Sequence, residues 1–142
     1  KHEWFVAAYK NPKALESEFY YFSDGNKKYD SWWGVPSLPK FNWNSEELRK
    51  RFIRGKSSVV AKWLKAPYGL DGWRIDVANM TGWIRDDNFN REIANTIRAT
   101  MDEVSPETFL IGEFTSDAAN HGADGAELGI TVECVRPEKK DE

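Results

Sequence analysis

Asp71-Gly72-Trp73-Arg74-Ile75-Asp76-Val77-Ala78-Asn79 and, further on, Leu110-Ile111-Gly112-Glu113-Phe114 decide the fold. Each is a short, largely apolar run of strand length with a carboxylate near its end, so Gly72 to Val77 and Thr108 to Phe114 are predicted strands. Between them Phe89, Ile93, Ile97 and Met101 recur every fourth residue. That spacing predicts an amphipathic helix over 88–103, capped by Asp86 or Asp87 and ended by Ser105-Pro106. Strand, helix, strand is a βαβ unit, which implies parallel strands and a right-handed crossover.

Upstream, Asn44 with Glu47 three residues on resembles a capping box, and Leu48 and Phe52 lie one helical turn apart. Gly55 interrupts. Val59, Val60, Trp63 and Leu64 predict a second helix with Ser57 or Ser58 as cap, stopped by Pro67 and Gly69. The alternation becomes αβαβ and favours an α/β fold with a parallel sheet. Residues 1–43 read as a long, irregular, aromatic region. Trp4, Phe5 and Tyr9 could share a face of a short helix, Ser23-Asp24-Gly25-Asn26 signals a turn, and Pro36 and Pro39 break regular structure. Residues 123–142 lose the pattern and end in a charged run that reads as a solvated tail.

The chain has 142 residues, 40% hydrophobic and 30% charged, with 20 basic and 23 acidic residues and a net charge of −3. This near balance argues against a nucleic-acid partner, which calls for a basic patch. No apolar run reaches the roughly 20 residues that span a bilayer, so no membrane partner is expected. No cationic-then-apolar leader is visible, which tilts the expectation towards the cytoplasm. The single Cys134 excludes an internal disulfide. Seven Trp, eight Phe and five Tyr are conspicuous; aromatic rings either fill cores or form flat platforms for ligands such as sugars.

Parallel strands end on one face, and in barrel enzymes that face carries the active site. Asp76 and Glu113 occupy matching strand ends, so neighbouring strands would aim both into one cleft, with carboxyl carbons roughly 5 to 6 Å apart if they act as a retaining pair. Arg74, two residues before Asp76, shares its side of the strand and would keep it charged. Glu113, read as lacking such a partner, would hold a proton longer. Two carboxylates separated by environment are what glycoside cleavage requires. The spacing equally suits a buried Arg74–Asp76 ion pair beside an ordinary strand-end Glu.

The segment Asp71 to Asn79 resembles the nucleophile segment of the α-amylase family, glycoside hydrolase family 13. Ile111-Gly112-Glu113 resembles its general-acid segment, and Leu38-Pro39-Lys40-Phe41-Asn42 its short motif in the loop after the third barrel strand. Tyr29-Asp30-Ser31-Trp32-Trp33-Gly34 extends the similarity. The Pro-Lys-Phe-Asn and Asp-Val-Ala-Asn forms look closest to the neopullulanase, cyclomaltodextrinase and maltogenic amylase branch. The resemblance implies a partial (β/α)8 TIM barrel: strands four and five, the helices around them and the long loop after strand three. Residues 1–122 would be that partial catalytic domain, with 1–43 its aromatic loop and 44–122 its αβαβ segment. It also implies Asp76 as nucleophile, Glu113 as general acid/base and Arg74 as the group that orients and ionises Asp76. Asn79, Trp32, Trp33 and Trp73 would bind substrate, an α-glucan oligosaccharide. Met80 departs from the pattern, since that branch commonly has Glu there.

Two parts of the family pattern have no counterpart. The third carboxylate follows Asn-His, but here Asn120-His121 is followed by Gly122, too early in the chain. The early Asn-His motif is missing as well, His2 having no such neighbours. A full barrel takes at least about 200 residues, so these 142 are expected to hold part of one and to be inactive alone. A transglycosylase of the same family and a non-catalytic sugar-binding remnant are the alternatives. No cofactor is expected. Calcium is common in the family, but Asp24-Gly25-Asn26 lacks the spacing of a calcium loop, and His2 and His121 have no partner at zinc-ligand spacing.

Overall fold

Helix α1, Glu3–Lys10, opens the computed structural model, which describes residues 2–113. Phe114, Asp117, His121, Cys134 and the predicted tail 123–142 lie outside the described residues. The chain divides after Arg49 into two compact units.

In the first unit the His2 imidazole caps α1 by accepting from the Trp4 N–H. The face that α1 buries is Phe5 and Ala8, three residues apart as helical spacing requires, while Tyr9 stays exposed. A 3-10 turn, Leu15–Phe19, leads to strands β1, Phe22–Ser23, and β2, Lys28–Tyr29, which pair antiparallel. Their turn puts Asp24, Gly25 and Asn26 all at positive φ, which Asn, Asp and Gly tolerate best. The Asn26 amide faces inward, donating to the Ala8 carbonyl at 2.8 Å and to Ser17 Oγ at 2.9 Å.

The region read as irregular is therefore an ordered aromatic framework. Phe5 meets Tyr29 edge-on at 4.9 Å and Tyr20 at 5.3 Å, and Tyr20 packs on Phe41 at 5.5 Å. Such pairs add to the area each ring buries. Two bridges, Tyr20 to Phe41 and Ser31 to Pro39, fold the Pro-rich stretch back on it. Burial, with the Glu16 carboxylate adding to it, pushes the Tyr20 phenol up to about 12.

Helix α2 spans Glu46–Phe52. Ser45 Oγ accepts from the Leu48 N–H at its start, and the Asn44 amide donates to Asn42 Oδ1. In the second unit Thr100 finishes the chain leaving α2, accepting from the Gly55 N–H at 2.9 Å and donating to the Ile53 carbonyl at 2.7 Å. Helix α3, Val59–Leu64, has Ser58 as its cap and buries Val60, Ala61 and Leu64.

Strand β3, Gly72–Ile75, follows, then a 3-10 turn at Ala78–Met80 and a hairpin of β4, Trp83–Ile84, with β5, Asp87–Asn88. That hairpin takes up the residues expected to cap the next helix. Helix α4, Asn90–Val104, begins without a side-chain cap from its N-cap residue, and its first N–H reaches Asn88 Oδ1. The buried stripe Ile93, Ile97 and Met101 is the one its spacing predicts. Strand β6, Phe109–Gly112, pairs parallel with β3, Gly72 opposite Phe109 and Ile75 opposite Gly112. This β3–α4–β6 unit is the predicted βαβ arrangement. Among the described residues the parallel sheet has these two strands and no closed barrel. No helix of the described residues is long and apolar enough to cross a membrane.

Candidate active site

One register step past the last β3–β6 pair, Asp76 stands opposite Glu113. The ladder continues to that point, with the Glu113 N–H donating to the Ile75 carbonyl at 2.9 Å. Side chains alternate along a strand, so Arg74, Asp76 and Glu113 emerge on one face. The contacts bear this out. Arg74 Nη1 hydrogen-bonds Asp76 Oδ1, and Arg74 Nη2 lies 2.6 Å from Glu113 Oε1. A planar guanidinium suits this use, because its separate nitrogens can each engage a different oxygen.

This geometry changes two sequence readings. Glu113 does not lack a cationic partner: Arg74 serves both carboxylates. The fork is long enough to span adjacent strand ends, a reach that strand position alone does not reveal. Nor is the Arg74–Asp76 pair buried. The side chains of Arg74, Asp76 and Glu113 retain 50%, 75% and 40% of their exposure, which keeps the carboxylates open to a ligand.

Backbone groups complete the setting. The Val77 N–H donates to Glu113 Oε2 at 3.0 Å, and the Ala78 N–H donates to the Glu113 carbonyl at 2.8 Å. Neither was visible in the sequence, because a main-chain donor carries no residue-type signature. Asn90 was missed for a similar reason. A polar residue at a helix start reads as ordinary, yet its buried side chain ties the loop after Asp76, donating to the Asn79 carbonyl at 2.6 Å and accepting from the Gly82 N–H at 2.7 Å.

The other expected site residues are placed differently. Trp73 points to the opposite face of β3, and its indole N–H donates to the Val60 carbonyl of α3 at 3.2 Å. The alternation that gathers Arg74 and Asp76 sends Trp73 away from them, towards α3. Asn79 lies in the 3-10 turn after Asp76, half-buried. Trp32 and Trp33 belong to the first unit, their rings 5.6 Å apart and tilted by 31°. Trp33 is 76% exposed and held at φ 50. In the nearby Pro39-Lys40-Phe41-Asn42 stretch, burial lowers the Lys40 ammonium from its ordinary value.

The turn at Asp24 to Asn26 has an ordinary structural occupation. Lys28 Nζ lies 3.7 Å from Asp24 Oδ2, and the Asn26 amide is engaged inward. Among the described residues no group of three or more His, Cys, Asp or Glu side chains is placed to hold a metal ion.

A family model described as alpha amylase, catalytic domain, matches residues 1–125. A cyclomaltodextrinase of Geobacillus thermopakistaniensis is 30% identical over 101 residues, covering 71% of this chain and 15% of that protein. A neopullulanase 2 of Thermoactinomyces vulgaris is 29% identical over 85 residues, covering 60% of this chain and 12% of the relative. The chain thus spans under a fifth of the length of these relatives. The crystal structure of an alpha-amylase from H. orenii superposes with a TM-score of 0.61 at 19% identity, over 82% of this chain and 26% of that one. The likeness is one of fold: an α/β arrangement resembling an alpha-amylase structure.

Proposed function

The chain belongs to the alpha-amylase catalytic-domain family, and on that premise we propose that it is part of a retaining α-glucan hydrolase. Its substrates are starch-derived oligosaccharides, cleaved at α-1,4 and also α-1,6 glucosidic bonds. The observation that carries the reading is the shared guanidinium: Arg74 touches both Asp76 and Glu113 at the ends of two parallel strands. In this proposal β3 and β6 are the fourth and fifth strands of a (β/α)8 barrel.

Asp76 attacks the anomeric carbon. A carbon–oxygen bond forms to its carboxylate as the glycosidic bond breaks, and Glu113 delivers its proton to the leaving oxygen. Water then attacks the glycosyl-enzyme, Glu113 takes a proton from it, and Asp76 leaves as a carboxylate. Arg74 orients Asp76 throughout. In the second unit Asn79 binds sugar, and in the first unit Trp32 and Trp33 offer sugar platforms. The branch is that of the cyclomaltodextrinases and neopullulanases, which the relatives' names support.

The test grafts residues 38–113 into a complete family barrel in place of the corresponding segment. The grafted enzyme is expected to hydrolyse maltotriose with net retention of anomeric configuration, followed by NMR, and to lose turnover on Asp76→Asn. A folded graft that is inactive, or that inverts, overturns the reading.

A further inference from the structure

We infer that Val77 is a positioning residue that holds the Glu113 carboxylate through its backbone, at the cost of an unfavourable conformation. The inference rests on the reading of Asp76 and Glu113 as the reacting pair. Val77 sits at φ 46, ψ 52, in the left-handed region. A β-branched residue there is a genuine outlier, because its Cβ crowds the main chain. Such strain persists only where the surroundings over-determine it, and it collects at functional sites.

The neighbours of Val77 hold it from both sides. The Val77 carbonyl accepts from the Met80 N–H at 2.9 Å and from Thr81 Oγ1 at 3.3 Å. The Ala78 N–H is fixed on the Glu113 carbonyl, and Asn90 ties Asn79 to Gly82 across the same loop. What this left-handed turn achieves is local and specific. It turns the chain directly after Asp76 and brings the Val77 N–H back onto Glu113 Oε2. With Arg74 on Oε1, each oxygen of Glu113 has its own donor. The carboxylate is thereby fixed beside Asp76 by one side chain and one peptide group, both emanating from the strand that carries Asp76. An N–H aimed at an ionised carboxylate is among the stronger hydrogen bonds a backbone makes. A glycine would meet the dihedral angles without strain. Valine at this position means the turn is held by its neighbours and not by its own preference.

The experiment uses the whole 142-residue chain labelled with nitrogen-15. The Val77 amide proton is expected downfield, with a strong contact to its own Hα as positive φ requires. It should move upfield as Glu113 takes up its proton on acidification. In Glu113→Gln that pH dependence should vanish, whereas in Val77→Gly, which keeps the N–H and accepts the dihedral angles, the residue-77 amide should titrate as before. A residue-77 amide at its random-coil position, or flat across pH while the Glu113 carboxyl titrates, overturns the inference. A flat amide together with an active graft rejects the role of Val77 alone. A titrating amide with an inactive graft rejects the proposed function alone.

Discussion

Arg74 is the residue on which the site turns, because its guanidinium contacts both carboxylates. Removing it sets two like charges at adjacent strand ends without their shared counter-charge. In the grafted barrel, Arg74→Leu is expected to lower kcat by roughly 100-fold or more, the order of effect seen when a proton-transfer group is lost or misplaced. Arg74→Lys should recover only part of this, since an ammonium is a point charge and cannot reach two oxygens through separate planar donors. Asp71→Asn serves as the control, because Asp71 lies at the far end of β3. Near-normal turnover of Arg74→Leu in steady-state assays on maltotriose would reduce the bridge to a structural feature. The positions of Arg74, Asp76 and Glu113 were legible in the sequence, because strand alternation fixes which residues share a face. Their bonding was not. Whether a guanidinium engages one carboxylate or two depends on the register of a second strand, and that register is set by tertiary packing.

At the scale of elements, β3 and β6 meet through a glycine. A Cβ built on Gly72 would come within 2.1 Å of the Phe109 carbonyl oxygen and 2.9 Å of its carbonyl carbon and amide nitrogen. All three are backbone atoms of the paired strand and have no rotamer by which to give way. Gly72→Ala is therefore expected to destabilise the second unit by on the order of 3 kcal/mol, at the upper end for overpacking, read as a loss of urea midpoint followed by circular dichroism. An unchanged midpoint would mean that the strands do not approach as described. Helix and strand identities followed from periodicity: α4 is the helix that Ile93, Ile97 and Met101 predict. The ends were less legible. Asp86 and Asp87 carry the chemistry of caps, but the β4–β5 hairpin claims Asp87, a tertiary choice that local propensity cannot foresee. The detail of the aromatic stretch at the start of the chain was less legible for a related reason. Its order comes from ring-on-ring packing among Phe5, Tyr20, Tyr29 and Phe41, which has no sequence period.

For the whole molecule, the question is what these 142 residues can do unaided. Each strand of the parallel sheet has one paired edge among the described residues. A two-stranded sheet is marginal without further strands or a covering layer, and unpaired edges invite other partners. The proposed chemistry also needs its carboxylates in a cleft that excludes water from the first step, and Asp76 keeps 75% of its side-chain exposure. Water would compete with the Arg74 bridge and with a bound sugar for the same oxygens. The chain by itself is therefore expected to turn over maltotriose or an aryl α-maltoside at background rate, while the same residues grafted into a complete barrel are active. The paired assay separates a site that is intact but unsupported from one that has decayed. Activity in the graft alone fits a competent Arg74, Asp76 and Glu113 awaiting the rest of the barrel. Inactivity in both, with the graft folded, fits a non-catalytic remnant. Turnover by the 142-residue chain above background, abolished by Asp76→Asn, would show that two strands and one guanidinium suffice, and the requirement for a closed barrel would fall.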